Sequence, residues 1–64
     1  MTLSKSKVDV ILARRNQTVG EFCEAVGISR NRFYVVMNSK NVQPKTAGRM
    51  AEMLCVDVAE IIEE

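Results

Sequence analysis

No histidine occurs in this 64-residue chain, and its two cysteines, Cys23 and Cys55, stand far apart rather than as a Cys-x-x-Cys pair. Zinc ligation of the usual spacing and Cys–His catalysis are therefore excluded. There is no glycine-rich phosphate loop, and Ser29 is better explained as a helix cap than as a nucleophile. With no base beside either thiol, the chain offers no catalytic residue. It is expected not to be an enzyme, and to need no metal, cofactor or small-molecule ligand. No run approaches the roughly 18 apolar residues of a membrane span, and the start lacks the continuous apolar core of a signal peptide. The expectation is a cytoplasmic protein without a membrane partner, its two cysteines reduced and placed in the core.

Strand-like alternation, internal repeats and low-complexity segments are also missing, which leaves an all-α reading. A chain of this size is one domain, spanning 1–64, and buries only about 60% of its unfolded surface. The last absence is of basic residues after Arg49. Up to Arg49 nine Lys and Arg meet three acids (Asp9, Glu21, Glu24), giving 9 − 3 = +6. From Met50 there are five acids (Glu52, Asp57, Glu60, Glu63, Glu64), giving −5 and a net +1. Such asymmetry points to one end facing a polyanion and the other facing away.

Five short helices are expected, at about 4–15, 18–26, 29–38, 44–54 and 57–63. Met1 to Lys7 carries little apolar content and reads as a frayed end, with Lys5 and Lys7 either solvated or near phosphates. Val8, Ile11 and Leu12 mark helix one, which Asn16 and Gln17 break. Thr18 and Glu21 form a capping box for helix two, whose apolar stripe is Phe22, Cys23 and Val26. Gly27 suits the left-handed residue that ends it. Ser29 caps helix three, with Ile28 and Phe33 as a hydrophobic staple. Phe33, Val36 and Met37 turn inward. At about 100° per residue, Asn31 and Val35 point directly away from that stripe, Arg32 and Tyr34 lie on its flanks, and Arg30 projects from the first turn. Asn38 to Asn41 is a polar turn, Pro44 opens helix four, and Ala47, Met50, Ala51 and Leu54 form its buried stripe. Gly48 in its middle costs about 1 kcal/mol in helix propensity, and it either lets a neighbouring helix approach closely or is neutral. Asp57 and Glu60 cap helix five, with Val56 and Ile61 at the staple positions and Val58, Ile61 and Ile62 as its apolar residues.

Two helices joined through a glycine turn, the second displaying Arg and Asn from its first half, form a helix-turn-helix arrangement, whose second helix enters the DNA major groove. From about Val8 to Ile62 the chain resembles the lambda-repressor-like helix-turn-helix domains of the XRE or Cro type. The resemblance is carried by Phe22-Cys23, by Val26-Gly27-Ile28-Ser29, by Phe33, Asn38 and Pro44, and by the run Met50 to Val56. It implies a compact five-helix DNA-binding domain with the helix-turn-helix at helices two and three. Base readout is implied for Ser29, Arg30, Asn31, Arg32, Tyr34 and Val35, and contacts to the DNA backbone for Thr18, Val19, Asn38, Lys40 and Lys45, with Ser29 also counted among the backbone contacts. It further implies dimerisation through helix five, with Val58, Ile61 and Ile62 at the interface and Glu60, Glu63 and Glu64 away from DNA. Three departures from the family pattern involve four positions. Val19 replaces a Gln that touches phosphate, Ser39 replaces a turn glycine, and Leu12 and Met37 replace an Arg–Glu pair by two apolar side chains, so neither charge is stranded.

The side-chain chemistry agrees with that implication. Arg pairs with the O6/N7 edge of guanine, Asn with adenine, and an aliphatic side chain packs on the thymine methyl. The expected function is sequence-specific binding of a double-stranded operator by a transcriptional regulator, a repressor as first reading, without an effector domain. The alternative is a protein-interaction module such as an antitoxin or adaptor that uses the helix-five surface.

Overall fold

Polar caps set where each helix begins. In the computed structural model, which describes residues 1–63, the Ser4 hydroxyl accepts from the Lys7 amide at 3.2 Å and opens α1, Lys5–Arg14. Thr18 and Glu21 complete a reciprocal box, Glu21 N–H donating to Thr18 Oγ1 at 3.1 Å and Thr18 N–H to Glu21 Oε1 at 2.9 Å. It opens α2, Val19–Val26. Ser29 accepts from the Arg32 amide at 3.0 Å and opens α3, Arg30–Asn38. Pro44 opens α4, Pro44–Leu54, at a position where its missing N–H would have no intrahelical partner.

Three helices also end alike. Asn16, Gly27 and Cys55 each take a left-handed conformation, at φ 54°, 80° and 59°. In each case the next amide reaches five residues back: Gln17 to the Leu12 carbonyl, Ile28 to Cys23, Val56 to Ala51. Carbonyls left open by the helix ends are closed in this way. Gly27 was expected to do this. Cys55 was expected in the core, and the structure corrects that: it is exposed, because its left-handed backbone turns the side chain out of the α4 stripe.

The described architecture is all-helical, with four α-helices rather than five. Where a fifth was expected over 57–63, there is a single 3-10 turn, Val58–Glu60. Its capping box forms as expected, with Ala59 N–H on Asp57 Oδ1 at 2.8 Å and Asp57 N–H on Glu60 Oε2 at 3.3 Å. The chain then straightens. Ile62 pairs with Leu3 in an antiparallel bridge, Ser4 N–H donates to the Ile61 carbonyl at 2.7 Å, and Glu63 N–H donates to the Thr2 carbonyl at 2.9 Å. Backbone groups that a longer helix would satisfy internally are satisfied across the N-terminus instead.

For the same reason residues 1–4 are not a frayed end. Leu3 and Ser4 are buried, the Met1 ammonium donates to the Val42 carbonyl at 3.1 Å, and Val42 N–H returns a bond to the Met1 carbonyl at 2.8 Å. Lys7 Nζ donates to the Ile62 carbonyl at 3.0 Å, so this lysine serves the C-terminal segment. The first residues thus tie the loop after α3 to the end of the chain.

One apolar cluster joins all of these parts. It contains Val8, Ile11 and Leu12 of α1, Phe22 and Cys23 of α2, Phe33, Val36 and Met37 of α3, and Ala47, Met50, Ala51 and Leu54 of α4, closed by Leu3, Val42 and Ile61. Leu12 and Met37 both lie within it, which leaves no charge buried at either position. The radius of gyration, 10.5 Å, matches the value of about 10.7 Å expected of a compact chain of this length. No described helix is long and apolar enough to cross a membrane.

Two substitutions test this description. Leu3→Ala empties a buried site in the terminal clasp and is expected to cost about 2–4 kcal/mol in urea unfolding; a frayed end would give a change near zero. A Cβ built on Gly48 meets nothing within 4 Å, so this glycine serves no close helix approach. Gly48→Ala should therefore stabilise the protein by about 1 kcal/mol, raising the thermal midpoint by roughly 4–8 °C.

Candidate nucleic-acid interface

The surface of α3 follows from what its other side buries. Phe33, Val36 and Met37 go into the core, and Phe33 packs edge-on against Phe22 of α2 with ring centroids 5.9 Å apart. α2 and α3, joined by only Gly27, Ile28 and Ser29, pack directly on one another. That leaves Arg30, Asn31, Arg32, Tyr34 and Val35 all exposed on one helix. Val35 is 60% and Tyr34 41% accessible, so the outer side of α3 exposes apolar as well as polar groups. The Tyr34 ring leans edge-on against Phe33 at 5.5 Å, which orients it along the helix surface.

The two arginines leave α3 on opposite sides. Arg30 lies over α2: a Cβ on Gly20 would stand 2.7 Å from Arg30 Nη2, 3.0 Å from Cζ and 3.1 Å from Nε. Only the missing side chain of Gly20 lets the guanidinium rest there. Arg32 lies on the α4 side. It lines a cavity of about 250 Å³ with Val35, Ser39, Asn41, Gln43 and Thr46, and a second of about 190 Å³ with Ile28, Arg49, Met50 and Met53. Both cavities also share Val36 and Thr46, so they form one cleft between α3 and α4.

Of the expected backbone contacts, Thr18, Asn38, Lys40 and Lys45 are exposed, whereas Val19 is half-buried against the core. Thr18 has its amide committed to Glu21. Its hydroxyl and that of Ser29 accept within the caps and keep their own protons to donate. Ser39, in place of a turn glycine, has φ −76° and ψ 138°, an extended conformation open to any residue. Sequence reasoning passed over Asn41, Gln43, Thr46 and Arg49. Their signal was the uncapped start of α4, since Gln43 makes no side-chain cap, and a run of charge: from Ile28 to Leu54 five cations face only Glu52.

The expected dimer residues fare differently. Ile61 is fully buried and closes the core, so it is removed from any interface; Val58 and Ile62 are half-buried against the same core. Arg15 also faces elsewhere, donating to the Leu54 carbonyl at 3.3 Å and to Gln17 at 2.9 Å. Glu60 lines a shallow cavity with Lys7 and Arg14, which places this acid beside α1. Glu64 lies outside the described residues. Among the described residues, no group of three or more His, Cys, Asp or Glu side chains could hold a metal ion.

Burial pushes the Cys23 thiol above its ordinary value of 9.0, and the Arg30 guanidinium draws it part of the way back. A raised thiol pKa favours the folded state below the unfolded value, and this advantage fades as pH rises through the folded value. At pH 8 a disulfide reagent is expected to modify Cys55 within minutes and Cys23 only after urea unfolding, as mass spectrometry of the two peptides would read out. Equal rates would place both thiols at the surface.

Comparison with protein-family models, with curated proteins and with solved structures gives no match to this chain.

Proposed function

We propose that this protein binds double-stranded DNA at a defined sequence and acts as a transcriptional regulator of the lambda-repressor-like type, a repressor that occupies its operator in the cytoplasm. The observation that carries the proposal is α3 itself. Its inner stripe is locked to Phe22, while its outer side presents two arginines, an asparagine, a tyrosine and an exposed valine within six residues. These side chains have the hydrogen-bonding and methyl-packing chemistry of groove recognition. The short connection from α2, with Gly27 left-handed, supports reading the pair as a helix-turn-helix, a motif whose second helix lies in the major groove while the first crosses the DNA backbone. Arg49, Lys40 and Lys45 supply further positive charge on the segments that follow α3, and charge of this kind drives association with phosphate.

The alternative, a protein-interaction module built on residues 57–63, has less to work with. Its central apolar residue, Ile61, belongs to the core, and the segment is a 3-10 turn rather than an amphipathic helix.

Selection of duplexes from a random library at near-physiological salt tests the proposal. Enrichment of one defined sequence is expected, as a single half-site for a monomer or as an inverted repeat with centres about 34 Å apart for a pair. Arg30→Glu combined with Arg32→Glu should lower affinity for that sequence by at least about 2 kcal/mol, with an unchanged circular-dichroism melt. Folded protein that enriches no sequence would end the operator reading.

A further inference from the structure

We infer that the two arginines of α3 clamp phosphates on either side of the groove, and that base reading falls to Asn31 and Val35, so the half-site is specified by A·T pairs rather than by guanine. The inference rests on the DNA-binding proposal above and divides its groove-facing residues by geometry. Arginine is the side chain that most often selects guanine, and a helix with Arg30 and Arg32 in its first turn would ordinarily be assigned a G-containing site. The placement of both side chains argues otherwise.

Arg30 is the first residue of α3, and side chains at a helix start lean back toward the N-terminus. Here that direction leads onto α2, where Gly20 leaves the backbone bare and the guanidinium comes to rest, with Nη2 2.7 Å from the position of the absent Cβ. When α3 occupies the groove, α2 is the element that crosses the DNA backbone. A guanidinium held against α2 is therefore on the phosphate side of the docked protein. Arg32 diverges the other way, into the cleft with Thr46 and Arg49 of α4 and with Ser39, Asn41 and Gln43 of the loop. Beside the apolar Ile28, Val35, Val36, Val42, Met50 and Met53, this lining offers hydroxyl, amide and guanidinium groups that suit an anionic oxygen, and Val35 stands at the rim between the cleft and the outermost line of α3. At about 100° per residue, Arg30 and Arg32 leave α3 about 160° apart, one on each flank of its outermost line.

That line is occupied by Asn31 and Val35, one turn apart, both exposed and opposite the buried Phe33, Val36 and Met37. Asn offers one acceptor and two donors and pairs in bidentate fashion with N6 and N7 of adenine. Val35 is the most exposed of the chain's large apolar side chains and suits the thymine methyl. Tyr34 shares the Arg30 flank and, held by Phe33, is placed for a hydroxyl contact to phosphate or sugar.

The test is duplex selection with the wild type and with Arg30→Ala, Arg32→Ala, Asn31→Ala and Val35→Ala, followed by titration of the selected duplex at several salt concentrations. The first two variants are expected to select the same sequence as the wild type, each with a salt slope smaller by about 1. Asn31→Ala should lose preference for one adenine by about tenfold to a hundredfold, with an unchanged slope. Val35→Ala should weaken preference for one thymine, and uracil in its place should reproduce the effect in the wild type. A required guanine that disappears from the sites selected by Arg30→Ala or Arg32→Ala would overturn the inference while leaving sequence-specific binding intact. Failure of the wild type to select any duplex would overturn both. Matching melts across the set would tie these outcomes to contact rather than to folding.

Discussion

The edge of Phe33 against Phe22 is the contact on which the outer surface depends. Both rings are nearly inaccessible, and the pair joins α2 to α3 directly across a three-residue turn. An aromatic pair of this geometry contributes about 0.5–1.5 kcal/mol beyond its burial, but its greater consequence is rotational. A roll of α3 by one residue would bring Arg32 or Tyr34 into the core and carry Phe33 into water. Burying an unpaired guanidinium costs several kcal/mol, so that roll is closed. The six exposed residues of α3 are thereby held at fixed angles to α2 and α4, although none of them contributes to the core. The exposed surface of α3 is in this sense a by-product of packing: the inner stripe decides which way the outer one faces.

Helix starts and the α3 faces were legible because they are written in local chemistry. Thr18-x-x-Glu21, Ser29 and Pro44 each name their own backbone partner within three residues, and Phe33, Val36 and Met37 show the helical period directly. The parts that sequence reasoning missed depend on contacts distant along the chain. Leu3 looks like an isolated apolar residue in a polar tail until Ile62, 59 positions away, is set beside it. Asp57 and Glu60 signal a helix correctly, but no local residue reveals that Ser4 and Thr2 take up the backbone groups of Ile61 and Glu63. Cys55 misled for another reason. Cysteine has no particular affinity for left-handed backbone, so its position in an apolar stripe was the only visible cue.

The N-terminal clasp also bears on the candidate interface. A chain this small has little core to spare, and its loop after α3 contains only one buried residue, Val42. The reciprocal bonds between Met1 and Val42, with Thr2 Oγ1 on the Lys40 carbonyl at 3.3 Å, fix the backbone of a segment that would otherwise have no secondary structure. Asn41 and Gln43, which flank Val42, thereby acquire a defined place beside Arg32. Order in that loop comes from the first residues of the chain rather than from α3 or α4, which is why neither helix signal disclosed it.

The two helical glycines separate structure from function in this protein. Gly20 and Gly48 carry the same intrinsic penalty, about 1 kcal/mol relative to alanine, and a sequence treats them alike. Their surroundings do not. Space around Gly48 is open, and nothing in the fold uses the missing side chain. At Gly20 the vacancy is filled by a guanidinium belonging to another helix. That guanidinium is attached to the first residue of α3, so a glycine on α2 governs the direction taken by an arginine on the proposed recognition helix. Substitutions at position 20 therefore act on the exposed surface of α3 without altering a residue of that helix, whereas substitutions at position 48 act on helix stability alone. The same residue type is a positioning device in one helix and an unoptimised site in the other, and only the distance to a neighbouring side chain tells them apart.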